Sequence, residues 1–213
     1  MKKIILSAIG IFLIGCQSKS QNVVVPKAET KKELTKNNME VATFAGGCFW
    51  CTEAVFLELK GVQSVVSGYI GGTVENPTYE QICTGRTGHA EAIQISFDPK
   101  IISFGELLEI FFATHDPTTL NQQGADRGTQ YRSEVFYNNQ NQKEITLAYI
   151  ALMTKEKTFD NAIVTAVSAA PKFYEAENYH QNYYNQNKQQ SYCHYVITPK
   201  VDKVRKSFSQ KLK

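Results

Sequence analysis

A short apolar run, Val41 to Ala45, stops at Gly46-Gly47, and the residues that follow at once change period. From Phe49 to Leu59 the apolar positions Phe49, Ala54, Val55, Leu57 and Leu59 suit a mostly buried helix, which Gly61 is placed to stop. A strand joined to a buried helix through a glycine hinge therefore opens the folded part. The β-branched stretch Val62 to Tyr69 closes on Gly71-Gly72 and reads as a second strand, and Ala90 to Phe97 alternates as a third. Phe104 to Ala113 has a clear helical period, with Ser103 and Glu106 offering a capping box. Ser133 to Tyr137 reads as a strand, Glu144 to Lys157 as a helix and Ile163 to Val167 as a fifth strand. The order β-α-β-β-α-β-α-β predicts an α+β two-layer sandwich with a mixed central sheet, helices packed on it and an irregular C-terminal segment. Its first six elements have the order of a ferredoxin-like core.

Charge separates this body from its ends. The 213 residues carry a net charge of +3, yet residues 1–39 hold seven lysines against two acids, and residues 200–213 hold six basic residues against one acid. The body between them is net acidic, a poor fit to a phosphate backbone, and nucleic-acid binding is set aside. Residues 1–16 combine Lys2-Lys3 with an apolar run from Ile4 to Ile14, too short to span a bilayer comfortably but suited to a secretion signal. Leu13-Ile14-Gly15-Cys16 is similar to a bacterial lipoprotein box, which makes Cys16 the expected lipidation site, with the ordinary cleaved signal as the alternative. Residues 17–39, rich in Lys, Asn, Gln and Thr, read as a flexible tether. The expectation is a lipid-anchored envelope protein, on the outer membrane if the source has two, because Gln17 stands where an inner-membrane retention signal would place Asp. The domain is then residues 40–199. The basic tail at 200–213, with Val201, Val204, Phe208 and Leu212 at helical spacing, is expected to dock on the body rather than on anionic lipid.

The chemistry concentrates at Gly46-Gly47-Cys48-Phe49-Trp50-Cys51. A thiol at a helix mouth meets free N–H groups and the positive end of the helix dipole, which favour a thiolate. Cys51, three positions on, lies in the same turn, within reach of a disulfide. Other readings exist for such a pair. A zinc site needs two more ligands, for which Cys83, Cys193 and His194 are available but no second Cys-x-x-Cys is present. The disulfide could be purely structural in a tethered binding module. A thioredoxin-like oxidoreductase usually places Trp before its first cysteine, whereas Phe49 and Trp50 lie between the two here. A Cys-His hydrolase finds no convincing base among His89, His115 and His180, which read as structural.

The chain resembles the A-type peptide methionine sulfoxide reductases from Val41 to about Lys200. The resemblance is carried by GGCFWC at 46–51, GYIGG at 68–72, NPTYEQICTGRTGHAEA at 76–92, HDPTTLNQQGADRGTQYRS at 115–133, FYEAENYHQNYY at 173–184 and SYCHYVITPKV at 191–201. It implies thiol-dependent reduction of the S epimer of methionine sulfoxide, free or in proteins, with Cys48 attacking and becoming a sulfenic acid. Glu91, Tyr79 and Tyr131 are implied as proton or hydrogen-bond donors to the sulfoxide oxygen, which must lose electron density before a thiolate can take it. Phe49 and Trp50 would receive the methyl and thioether, and Asp126 would orient donors or a water. Cys51 and Cys193 are both candidates to resolve the sulfenic acid, in an order left open; many members carry Gly where Cys51 stands. Cys83 reads as a bystander in a strand-and-loop context. The resemblance further implies a thioredoxin-type dithiol reductant, which a lipid-anchored protein would need outside the cytoplasm, and repair of oxidised proteins. No metal or nucleotide motif is present, so no cofactor is expected, and the protein is expected to be a monomer.

Overall fold

A computed structural model describes residues 39–213; the leader, the tether up to residue 38 and Cys16 lie outside the described residues. In chain order, β1 (Glu40–Gly46) leads into α1 (Phe49–Leu57), β2 (Val62–Ile70), the short α2 (Tyr79–Cys83), β3 (Ala90–Phe97) and α3 (Phe104–Thr114). The two-residue strands β4 (Gln122–Gln123) and β5 (Asp126–Arg127) form a hairpin, followed by β6 (Ser133–Tyr137), α4 (Gln140–Lys155), β7 (Ala166–Ala169) and β8 (Tyr174–Glu175). The chain then runs through α5 (Tyr183–Gln186), a π-helical turn at Cys193–Ile197 and α6 (Thr198–Ser207).

The main sheet has the order β7-β6-β1-β3-β2-β8 and is antiparallel except between β6 and β7. Within it, β6-β1-β3-β2 with α1 and α3 makes the ferredoxin-like core and confirms the α+β sandwich. Strand alternation divides the buried side chains. Ala42 and Phe44 on β1, with Ile93, Ile95 and Phe97 on β3, face α1 and α3, while Ala45, Ala90, Ala92 and Phe136 meet Ala170 and Phe173 on the other face. The Phe44 ring lies 5.7 Å from that of Phe56, 5.8 Å from Phe104 and 4.8 Å from Phe111, so one strand residue ties both helices to the sheet.

Strands β3 and β6 have the predicted bounds. Helix α4 starts four residues before the predicted Glu144 because the Asn139 side chain accepts from the Gln142 N–H and caps an extra polar turn, which apolar spacing does not reveal. Strand β7 lies three residues later than predicted at its start, where parallel pairing of Glu134 with Ala166 sets the register. Helix α2, which carries Cys83 at its end, stands where a strand-and-loop context is expected; its five residues are too few to show a period, and a Thr78–Gln81 capping box starts it. The C-terminal segment after β8 runs through short turns, α5 and the π-helical turn into α6, which spans Lys200 and buries Val201 and Val204 fully against the body.

The capping box on α3 forms as predicted: Glu106 N donates to Ser103 Oγ at 3.2 Å, and Ser103 N donates to Glu106 Oε2 at 2.8 Å. Ser103→Ala is therefore expected to lower unfolding free energy by about 1 kcal/mol, seen as a lower urea midpoint at unchanged slope. An unchanged midpoint would show that the Glu106–Lys211 ion pair, rather than the box, holds this end of the helix.

Candidate active site

The end of β1 delivers the elbow. Gly47 has φ +87°, and a side chain there would meet Gln123 Cβ at 2.5 Å, so both the turn and the packing require glycine. Gln123 is itself pinned, accepting from Asp116 N at 3.0 Å and donating to Asp116 O at 3.1 Å. The β4–β5 hairpin thereby presses on the peptide just before Cys48. Cys48 is the N-cap of α1, is 7% exposed and makes no side-chain capping bond.

Glu91 reaches the same helix end from β3. Phe44 pairs with Ile93 and Tyr69 with Glu91, a register that carries the carboxyl to the end of β1. Its Oε2 accepts from Phe49 N at 3.1 Å, and burial pushes its pKa up to about 8, with the charges of Asp126 and Cys51 adding to the rise. Here the structure corrects the reading of the elbow. The helix N–H expected to stabilise a Cys48 thiolate is bound by Glu91, and burial, together with a hydrogen bond to Cys51, pushes the Cys48 thiol well up. Cys51 shares this environment: the neighbouring Cys48 draws its pKa down to about 7 against its own burial, helped by Lys200 and Tyr192.

Tyr79 at the start of α2 and Tyr131 before β6 are both half-buried. Burial and the charge of Glu91 raise both phenols, so they remain neutral donors at any working pH. Trp50 stacks face to face on Tyr183, centroids 3.8 Å apart and planes 8° from parallel, and its Nε1 donates to His180 Nδ1 at 3.2 Å. Phe49 lies 5.0 Å from the His180 ring, and Tyr79 lies 4.4 Å from it on another side. Asp126 Oδ2 accepts from the Tyr192 hydroxyl at 2.8 Å, and that hydroxyl lies 3.8 Å from Cys51 Sγ. The fold thus gathers Cys48, Cys51, Glu91, Tyr79, Tyr131, Phe49, Trp50 and Asp126 around one helix end.

Cys193 is fully buried in the π-helical turn, and burial raises its thiol, with the charge of Cys51 adding to the rise. Among the described residues no cluster of three or more His, Cys, Asp or Glu could hold a metal ion.

Four further residues complete the site, none of them expected from the sequence to line it. Glu177 accepts from Tyr79 N at 2.9 Å and Tyr69 Oη at 2.8 Å; His180, Tyr183 and Tyr192 surround Trp50. Buried Glu53 on α1 holds this wall, accepting from Asn182 N at 2.7 Å and Tyr183 N at 3.2 Å. All four lie in motifs already singled out, but nothing local assigns them a target about 100 to 140 residues away.

The family model for peptide methionine sulfoxide reductase matches residues 40–212. Over 174 residues the chain is 55% identical to the peptide methionine sulfoxide reductase MsrA of Chromobacterium violaceum, covering 82% of this chain and 99% of the relative. It is 56% identical, again over 174 residues, to that of Deinococcus radiodurans, covering 82% and 84%. Among solved structures, reduced Mxr1 of Saccharomyces cerevisiae superposes with a TM-score of 0.68 at 32% identity, over 76% of this chain and 92% of that one. Methionine sulfoxide reductase A of Corynebacterium diphtheriae gives 0.64 at 34% identity, over 73% and 78%. A match that begins with β1 and ends beyond α6 takes in every element that builds the helix-end site, and the chain belongs to the peptide methionine sulfoxide reductase family.

Proposed function

We propose that this protein reduces the S epimer of methionine sulfoxide, free or in proteins, to methionine, and so repairs oxidised proteins. The observation that carries the chemistry is the Glu91 carboxyl, protonated at neutral pH, bound to Phe49 N–H beside the Cys48 thiol. Phe49 and Trp50, backed by His180 and Tyr183, offer an apolar wall for the methyl and thioether. Tyr79, Tyr131 and Glu91 receive the oxygen, and Asp126 orients Tyr192. With methyl and oxygen held on opposite sides, one sulfur configuration is accepted.

Cys48 attacks the sulfoxide sulfur as a thiolate, Glu91 protonates the oxygen, and methionine leaves as Cys48 becomes a sulfenic acid. The sulfoxide gains the two electrons that the cysteine sulfur loses. Cys51, in the same helical turn, then forms the disulfide with Cys48 and water departs. Cys193 serves second, taking over the bond to Cys51 once its turn loosens; its full burial, with the charge of Cys51 acting on it, supports that order. An external thioredoxin-type dithiol restores the thiols, and no resident cofactor takes part.

The proposal includes the leader: Cys16 lipidated, residues 17–39 as tether, the envelope as location (the outer membrane where two exist) and a monomeric domain. Strand β1 supports a usable orientation. It enters at Glu40 and reaches Gly46 roughly 20 Å away, so the site lies at the far end of the strand from the tether.

A peptide carrying each resolved sulfoxide epimer, assayed with a thioredoxin-type dithiol, is expected to yield methionine from the S epimer while the R epimer persists. Equal consumption of both would overturn the pocket assignment; absence of methionine would overturn the activity.

A further inference from the structure

Three donors must converge on one sulfoxide oxygen, and they arrive from separate elements. Glu91 stands on β3, Tyr79 at the start of α2, and Tyr131 ends the 3₁₀ turn Thr129–Tyr131 that precedes β6. A reacting group misplaced by about 1 Å can cost about 10²-fold in rate, so the offsets between these elements have to be held. Two of the donors have visible anchors. Glu91 is registered by pairing with Tyr69 and by Phe49 N, and Tyr79 N donates to Glu177. Tyr131 sits in a turn whose backbone bonds, Tyr131 N to Gly128 O and Arg132 N to Thr129 O, are internal to it.

The half-buried residue that follows, Arg132, links this turn to its surroundings. Its Nε donates to Oε2 of buried Glu134 on β6 at 2.6 Å. Its Nη1 donates to Thr129 O in the turn and to Gly88 O, each at 3.1 Å, and Gly88 lies three residues before Glu91. Its Nη2 lies over Gly71 at the end of β2, where φ is +85° and a side chain would meet that nitrogen at 2.7 Å. One guanidinium thus joins the turn bearing Tyr131 to the segment that leads into Glu91. Thr129 Oγ1 adds a second bond between the same two segments, donating to Gly85 O at 3.1 Å.

We propose that Arg132 is a positioning residue that sets the Tyr131 hydroxyl against the Glu91 carboxyl, so that both meet the oxygen of the bound sulfoxide. This rests on the function proposed above and deepens it. The task needs a guanidinium. Its planar fork holds several donors in fixed directions, here toward one carboxylate and two carbonyls, whereas an ammonium is a compact point charge on a flexible stem. Lysine at this position would keep the charge opposite Glu134 but would give up the joint hold on Thr129 O and Gly88 O. Arg132 acts through Tyr131, and Tyr79, anchored separately by Glu177, is outside its reach.

That difference supplies the test, a double-mutant comparison. Methionine formed in the first turnover, without reductant, is followed at about pH 7, where Glu91 holds its proton; the wild-type rate is expected to decline above about pH 8. Arg132→Lys is read in wild type, in Tyr79→Phe and in Tyr131→Phe. It is expected to slow the saturating rate about ten-fold in wild type and in Tyr79→Phe, but less than about two-fold in Tyr131→Phe, where the donor it positions is already gone. The peptide concentration at half-saturation should move by less than about two-fold, because these donors bind more strongly as charge builds on the oxygen. An equal loss in all three backgrounds, a loss confined to half-saturation, or no loss in wild type would overturn the positioning role. Urea midpoints report folding. If Arg132→Lys does not fold, Thr129→Val removes the bond to Gly85 O at an exposed position, and a loss of about three-fold is expected only where Tyr131 is present. An equal loss with and without Tyr131, or none, is again the overturning result. Wild-type protein that forms no methionine would instead overturn the proposed activity.

Discussion

Cys48→Ser is expected to lower methionine formation by at least about 10³-fold, to the level of peptide mixed with reductant alone. The loss is chemical. A serine hydroxyl ionises far above the working range even with a base at hand, and its oxygen has no counterpart to the sulfenic acid that must carry the transferred oxygen away. The structural cost is small, because Cys48 is the N-cap of α1 with φ −55° and ψ 123°, makes no capping bond, and serine is among the preferred residues at an N-cap. The variant should therefore unfold at a urea concentration no lower than wild type while forming no methionine. A dimedone trap should label Cys48 in wild type after one turnover and nothing in the variant. Retention of even a tenth of the wild-type rate would move the attack to another sulfur, with Cys51 the nearest.

Much of this architecture was legible because its signals are local. The alternation of Ala92, Ile93, Ile95 and Phe97 marks β3, and Ser103 with Glu106 marks the start of α3, each within a few residues. Where a side-chain cap or a distant partner sets the bounds, as at Asn139 for α4 and Glu134 for β7, periodicity misplaces them. The site divides in the same way. Cys48, Phe49, Trp50 and Cys51 are contiguous and could be read as one unit. Glu91 joins them only through the pairing of β1, β2 and β3, and its assignment came from resemblance to a motif. Tyr183 and Tyr192 lie more than 130 residues from Trp50, and their roles exist only in the folded packing. The helix dipole argument rightly found the thiol at a helix mouth, but it could not know that a carboxyl from β3 would take the same N–H. Burial of the Cys48 thiol adds to that competition and raises its pKa.

Glu91→Gln separates hydrogen bonding from proton transfer at the sulfoxide oxygen. The amide has nearly the shape of the carboxyl, its oxygen can still accept from Phe49 N, and its NH₂ can still donate to a ligand. It cannot release a proton. The rate of the first turnover is expected to fall about 10² to 10³-fold, and the decline seen in wild type above about pH 8 should vanish, since the group that deprotonates there is gone. Stability supplies an independent reading with a definite sign. A carboxyl raised from 4.5 to about 8 keeps its proton in the folded protein while the unfolded chain has already released it, so wild-type stability must fall as pH rises between those values. The fall ends once the folded carboxyl also ionises, and Glu91→Gln should flatten that slope in urea titrations. A variant with a flattened stability profile and a wild-type rate would show a carboxyl buried for structure, with the oxygen protonated by Tyr79 or Tyr131. A variant slowed a hundred-fold but with its alkaline decline intact would place the titrating acid elsewhere. Loss of both the rate and the decline, with the slope flattened, requires that one buried proton serve the sulfoxide and set the pH response of the fold.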